Sequence, residues 1–415
     1  MFERLERAYI ALFREYPPLI RLAVVTGAGQ LAFALLNNYA LPIYLLQDLR
    51  LSGKALGAIS ATFLLCETLL KFPMGRLSDR FGRRPFVALG PLLICLNPII
   101  IVRLPVSLWA LVFPVRAADG AGAAALWPPL YATVGDLVKK ESRAAAMSVM
   151  NTVYVLAMGG AVVVGSFAAY LLASNRAPFY IASALLFISG AVAVIALPRA
   201  DRRVAAQSSD AAALMPMVPA SAQPPLPAPD RAYPLPLVML ISLLMTLGVL
   251  MLANFAIPYL KLELELSPLH IGTLVITLGI PVGLLGLPLG HAADRWGKTL
   301  AVRVSLVASA ALMWLIPSCR TMPAFAAVGT LLVLSHVLGT PAWLAIVSEL
   351  APTSRRGGVM GIVATAQGVG AAVAPLIAGS LWDIGPPYVF YGSAVMLTLG
   401  ALVAGLTLRA RTGDA

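Results

Sequence analysis

The chain has 415 residues, 60% of them apolar and 12% charged, with a mean hydropathy of +0.87. Soluble domains average about 45–50% apolar and about 25% charged, and a single water-soluble core stops growing near about 250–300 residues, so a soluble fold is excluded and most of the apolar material faces lipid. The formal charge of +12, from 30 Lys and Arg against 18 Asp and Glu, would suggest a nucleic-acid or acidic partner on a soluble protein, so the placement of those charges decides what they mean.

Residues 1–18 carry Glu3, Arg4, Glu6, Arg7, Arg14 and Glu15, which does not match the short basic stretch and apolar run of a cleaved signal. The N-terminus is expected to be retained and cytoplasmic. Windows of about twenty apolar residues, cut by charges and Pro/Gly clusters, then give twelve spans. Six run over about 19–46, 54–78, 84–103, 107–138, 143–173 and 178–197, and six over about 236–261, 269–292, 299–317, 323–350, 356–383 and 387–409. Each must be helical, because an open strand in lipid leaves backbone groups unpaired.

Of the 30 basic residues, 22 fall on the side of the N-terminus and six on the other, while Lys71 and Arg116 lie inside spans. By the positive-inside rule this puts both termini in the cytoplasm of a multi-pass cell (inner) membrane protein. The +12 is thereby an orientation signal, and no nucleic-acid partner is expected. Residues 198–235, rich in Ala, Pro, Ser and Gln, read as a cytoplasmic linker between an N-terminal six-helix bundle, 1–197, and a C-terminal one, 236–415. Cys66, Cys95 and Cys319 lie singly in apolar stretches and are expected buried and reduced, with no metal-ligand spacing around them.

The two halves match at a nearly fixed offset. GRLSDRFGRR from Gly75 recurs as GHAADRWGKT from Gly290, pairing Asp79 with Asp294, Gly82 with Gly297 and Arg83 with Lys298 at an offset of 215. At 213, Pro128 pairs with Pro341, Asp136 with Glu349, Arg143 with Arg356 and Met147 with Met360. At 216, Asn38 pairs with Asn254 and Pro42 with Pro258. One register held across five helices marks a duplicated six-helix unit.

Two such halves in parallel resemble the major facilitator superfamily over essentially the whole chain. The loop after the second span fits the family pattern Gly-x-Leu-x-Asp-Arg-x-Gly-Arg-Arg/Lys at Gly75, Leu77, Asp79, Arg80, Gly82, Arg83 and Arg84. Arg116, Gly120 and Gly122 in the fourth span resemble the Arg-x-x-x-Gly-x-Gly pattern of proton-coupled members. The resemblance implies an all-α integral membrane fold of twelve helices in two pseudo-symmetric bundles, working as a transporter, not an enzyme, and as a monomer in lipid. It further implies that Asp79, Arg83 and Asp136 form a cytoplasmic latch, with Asp294, Lys298 and Glu349 as a weaker twin. Gly75 and Gly82 would allow tight turning and close helix approach.

Charges in hydrocarbon cost at least about 2.5–3.5 kcal/mol each on insertion scales. The spans hold four, Glu67, Lys71, Arg116 and Asp119, spaced so that each acid can pair with a base on its own helix. Their counterparts in the second half, Val282, Gly286, Gly329 and Leu332, are all uncharged, so the four read as proton-coupling or recognition residues more readily than as scaffold. Glu67 or Asp119 would carry the proton, with a static charge pair as the alternative. A substrate cavity is expected from Asn37, Asn38 and Tyr39 beside Pro42, Trp127 and Tyr131, Asn254 beside Pro258, His336 and Trp343, and Gln367, since proline frees nearby polar groups to face a cavity. Each of these side chains could equally serve interhelical packing.

The Gly-Lys-Thr at Gly297 lacks the earlier glycine of a phosphate-binding loop, with Ala292 in its place, so no ATP site or other cofactor is expected and a proton gradient is the energy source. Among family branches the pattern is most similar to the twelve-helix drug:proton antiporters, which implies export of small lipophilic or cationic compounds. The fifth span departs from that branch, with Ala161, Val162, Gly165 and Ser166 where Gly-Pro and Gly-Gly are expected. Uptake of a sugar, organic anion or amino acid is the alternative, and a non-transporting receptor or scaffold a third reading.

Overall fold

A computed structural model describes residues 12–197, 234–349 and 356–408. The linker expected at 198–235 falls almost entirely outside the described residues. Twelve long helices account for nearly everything described. The first six are α1 (Pro18–Asp48), α2 (Gly53–Phe81), α3 (Arg83–Arg103), α4 (Val112–Leu137), α5 (Arg143–Leu171) and α6 (Ala177–Ala196). The second six are α7 (Leu235–Ala253), α8 (Pro268–Trp296), α9 (Lys298–Leu315), α10 (Met322–Glu349), α11 (Arg356–Ile384) and α12 (Pro387–Thr407). Eleven of the expected spans are recovered to within a few residues; the one expected at 236–261 is broken after Ala253.

Eleven of the twelve are long and apolar enough to cross a membrane. The exception is α4, which has 26 residues but carries Arg116, Asp119, Asp136, Pro128 and Pro129. Large apolar side chains such as Leu93, Leu171, Ile195, Leu284 and Leu406 are exposed along the helices. In water such a surface would aggregate; in a bilayer it is the lipid-facing coat.

The helices cluster into two units, one of residues 1–44 and 62–221 and the other of 45–61 and 222–415. Within the first, α1 packs on α5 and α6, and α3 on α4 and α6. Within the second, α7 packs on α11 and α12, and α9 on α10 and α12. These are the same four pairings at equivalent positions, so the duplication read from the sequence extends to packing.

The backbone repeats too. Arg50 and Glu265, 215 residues apart, are both left-handed (φ 51° each), and Leu51 N–H donates to the Leu45 carbonyl as Leu266 N–H does to that of Leu260. Proline explains the irregular stretches upstream. Pro42 and Pro258 remove the amide that would bond the carbonyls of Asn38 and Asn254. The chain answers with a wide π-type turn at Leu36–Ala40 in α1, and with a break after α7 before the short helix Ala256–Pro258.

Gly82 (φ 91°, ψ 148°) and Gly297 (φ 84°, ψ 141°) sit at the turns into α3 and α9, in a region essentially closed to other residues. Gly75 behaves differently. It lies inside α2, and an added Cβ would only touch the Pro128 Cβ at 3.9 Å. The tight approach expected at Gly75 is therefore absent. Substituting Gly82 or Gly297 with alanine should cost about 1–3 kcal/mol, read as a lowered thermal midpoint of the detergent-solubilised protein. Gly75→Ala should be neutral or stabilising by about 0.5–1 kcal/mol, as for any helical glycine with room for a methyl group.

Candidate functional site

The intramembrane charges of the first unit form one cluster. Its assembly begins at Gly120, where a Cβ would lie 2.5 Å from the Phe63 carbonyl oxygen and 2.9 Å from the Glu67 amide. Only glycine lets α4 lie so close to α2. The same face of α4 then brings Arg116 and Asp119 toward α1, α2 and α3.

Arg116 is fully buried. Its Nη1 donates to Asp119 Oδ2 at 2.6 Å, its Nη2 donates to Asn37 Oδ1, and its guanidinium carbon stands 4.4 Å above the Phe63 ring centroid. Asp119 is buried equally well, and its other oxygen accepts from Asn97 Nδ2 at 2.6 Å. Both carboxylate oxygens are thus occupied by charge-assisted or amide donors, which is what a buried ion pair requires to offset its desolvation. Asn37 sits on the π-type turn of α1 and donates to the Phe33 carbonyl at 2.8 Å.

Glu67 is differently placed. It occupies the midpoint of the 29-residue α2 and pairs with Lys71 at 2.8 Å, one turn along. The pair keeps contact with solvent-sized space: the side chains are 14% and 26% exposed, against 1% and 0% for Asp119 and Arg116. Glu67 also lies within electrostatic reach of Arg116 and of Tyr154, which shares a hydrogen bond with Gln30. Beside it runs an aromatic row, with Phe33 6.1 Å from Phe63 and 6.2 Å from Trp127, and Trp127 5.4 Å from Tyr154 and 6.4 Å from Tyr131. Neither Asn97, Phe63 nor Tyr154 was singled out by sequence reasoning; apolar or amide residues on other helices carry no local signal of what they will face.

The other expected cavity residues divide. Asn38 is half-buried, whereas Tyr39 is almost wholly buried, with its ring against Gly165 of α5. Tyr39 is thus an α1–α5 packing residue. Asn254 is buried and donates to Ser60 Oγ at 2.9 Å. Trp343 lies in the apolar core of the second unit and donates from its indole nitrogen to Ser242 Oγ at 3.2 Å, joining α10 to α7. His336 and Gln367 are half-buried on α10 and α11.

At the other end of α2, Arg83 reaches Asp136 and lies 3.6 Å from Asp79. The three residues of the expected latch therefore meet inside the first unit. Lys298 is half-buried at the start of α9, while the side chains of Asp294 and Glu349 lie outside the described residues. Cys66 and Cys95 are half-buried and Cys319 buried, all as free thiols, so the first two are less enclosed than their apolar surroundings suggested. Among the described residues no group of His, Cys, Asp and Glu could hold a metal ion.

Twelve long helices in two units of matching packing, with a polar cluster inside one, define an integral membrane protein of duplicated design. The family comparison agrees: the Major Facilitator Superfamily model matches residues 22–252 and 238–414, and the chain belongs to that family. The chain is 24% identical over 368 residues to Multidrug resistance protein 1 of Bacillus subtilis, covering 86% of this chain and 88% of the relative. It is 27% identical over 413 residues to a gentisate transporter of Corynebacterium glutamicum, covering 91% and 86%. Among solved structures, a D-xylose-proton symporter superposes with a TM-score of 0.73 at 16% identity, covering 96% of this chain and 99% of that one. The protein is an integral membrane transporter of a small-molecule substrate, and family members are not enzymes.

Removing one partner of the buried pair should be worse than removing both. Asp119→Leu leaves an uncompensated guanidinium and should cost about 3–5 kcal/mol. The double variant R116M/D119L should recover much of that loss. Thermal unfolding of the purified proteins checks the order.

Proposed function

We propose that this chain is a proton-coupled exporter of small lipophilic or cationic compounds, working by alternating access in the inner membrane, with Glu67 as the proton site. The observation that carries the proposal is the contrast between the two acids. Both oxygens of Asp119 are committed to Arg116 and Asn97, whereas the Glu67 side chain is 14% exposed, lies one turn from Phe63 and stands within electrostatic reach of Tyr154. A carboxylate beside an aromatic surface can bind either a proton or an organic cation. A lipophilic cation held on the aromatic faces competes with that proton for the same carboxylate, and this competition is an exchange.

Arg116 and Asp119 then act as the fixed framework that positions Asn37 and Phe63, and Lys71 as the counter-charge that Glu67 releases on protonation. Both termini, with the Asp79–Arg83–Asp136 network, face the cytoplasm, where the network and its twin Asp294, Lys298 and Glu349 serve as gate. The chain works as a monomer of two bundles, 1–197 and 236–415, joined by 198–235, driven by the proton gradient without a cofactor. The similarity to a multidrug resistance protein supports export of drug-like compounds. The similarity to a gentisate transporter supports a second reading, transport of an organic anion, in which Lys71 is the anion ligand. Full enclosure of Arg116 by Asp119 and Asn37 argues against that residue as a ligand in either case.

The test is proton-driven accumulation of ethidium in inverted membrane vesicles. Glu67→Gln should abolish it while leaving the thermal midpoint within about 1 °C, a change of no more than about 1 kcal/mol for a protein of this size. Asp119→Asn should lower activity and stability together. Ethidium exchange that survives Glu67→Gln would remove Glu67 as the proton site, and proton-linked movement of gentisate in place of ethidium would favour the second reading.

A further inference from the structure

The first turn of α2 is capped in an unusual way. A helix start leaves four amides without intrahelical partners. Here Ser52 Oγ accepts from Ala55 N–H at 3.2 Å, as an N-cap serine does, and the Ser52 carbonyl takes Leu56 N–H. Two more of the open amides are taken by a carboxylate 330 residues away. Asp383, at the end of α11, accepts from Gly53 N–H at 2.5 Å with one oxygen and from Lys54 N–H at 3.1 Å with the other.

The backbones beneath that contact touch. A Cβ at Gly57 would overlap the Pro375 carbonyl oxygen, and one at Gly379 would overlap the Gly53 carbonyl oxygen. These residues belong together in the second unit, yet α2 itself is shared: its residues through 61 cluster with that unit and those from 62 with the first. The helix that carries Glu67 and Lys71 is therefore held at one end by Asp383.

The internal repeat separates this device from ordinary fold maintenance. At the offset of 215, Ser52 corresponds to Ser267, which caps α8 in the same way, accepting from His270 N–H at 3.3 Å. Gly53 corresponds to Pro268, which has no amide to satisfy. At the offset of 213 that holds in the fifth and eleventh helices, Asp383 corresponds to Tyr170. The second half thus has a proline where the first has Gly53 and its open amide, and the first half places an acid over that amide and the next. Asp383 is also exposed at the rim, so water competes for its oxygens and its hold is modest, as suits a contact that opens and closes.

We propose that Asp383 is a positioning residue for transport: its bidentate hold on the Gly53 and Lys54 amides keeps α2 against α11 in one state of the cycle, and release of that hold accompanies passage to the other. The proposal goes beyond the export reading, because it does not depend on the substrate or on Glu67. In the orientation proposed above this contact lies at the outer face.

The test uses aqueous maleimide labelling of full-length protein in membranes, over the background of the three native cysteines. Ile59→Cys, at a fully buried position in the same stretch of α2, reports loosening at this end; Thr365→Cys, at an exposed position on α11, reports the far side. Asp383→Asn loses the charge and one acceptor, and should raise Ile59→Cys labelling by at least about threefold, the population change expected from a charge–helix-end interaction of this kind, while lowering labelling of Thr365→Cys. Gly379→Ala keeps the carboxylate but forces the backbones apart, and should give the same pair of changes if Asp383→Asn does not fold. No rise at Ile59→Cys overturns the proposal. So does a rise there with Thr365→Cys unchanged, since that is local fraying without a change of state. No substrate enters the measurement, so its failure is separate from failure of the ethidium assay.

Discussion

Hydrocarbon offers no water to an unpaired amide or carbonyl, and each such group left open costs several times what it would at a soluble surface. The architecture of this transporter follows from that constraint. It makes every span a helix. It also makes each departure from the helix informative, because a departure has to be repaired. Where Pro42 and Pro258 withdraw an amide, the chain widens to a π-type turn or breaks, and Asn37, Asn38 and Asn254 stand at the repairs. Where α2 begins, Ser52 and Asp383 between them take the amides of Gly53, Lys54 and Ala55, which α2 cannot pair internally.

The same constraint governs charge. Arg116 survives complete burial because three groups surround it, the Asp119 carboxylate, the Asn37 oxygen and the face of Phe63, and Asn97 in turn satisfies the other oxygen of Asp119. None of these acts alone. Gly120 supplies the close approach that lets α4 reach α2 at all, so a residue without a side chain decides whether the charged ones can meet. Glu67, one turn from Phe63 on the same helix, borders this assembly while its own side chain stays partly exposed.

Much of the fold was legible beforehand because its signals are local or periodic. Span length, the bias of arginines to one side and the recurrence of GRLSDRFGRR are all readable without knowing any contact, and the turn glycines Gly82 and Gly297 proved to be where the motif placed them. The intrahelical pairs Glu67–Lys71 and Arg116–Asp119 were also legible, since helical spacing alone puts them side by side. What failed to show was anything that depends on which helix faces which. Tyr39 and Trp343 looked like cavity residues and are packing residues, because the depth of an aromatic along a helix says nothing of the face it occupies. Asn97 and Asp383 gave no signal, their partners being 22 and 330 residues away. Gly75 fits its motif but sits with room to spare, so membership of a pattern did not reveal which of its glycines is sterically required.

The polarity of α4 has a consequence for how the protein is made. Arg116 and Asp119 would each charge about 2.5–3.5 kcal/mol for entry into hydrocarbon on insertion scales, enough to make a lone α4 a poor candidate for release into the bilayer. The groups that neutralise the cost, Asn37, Phe63 and Asn97, lie on α1, α2 and α3, all synthesised earlier. The fourth helix is thus admitted to the membrane by the three before it, and the order of residues along the chain is also the order in which its buried charge becomes affordable.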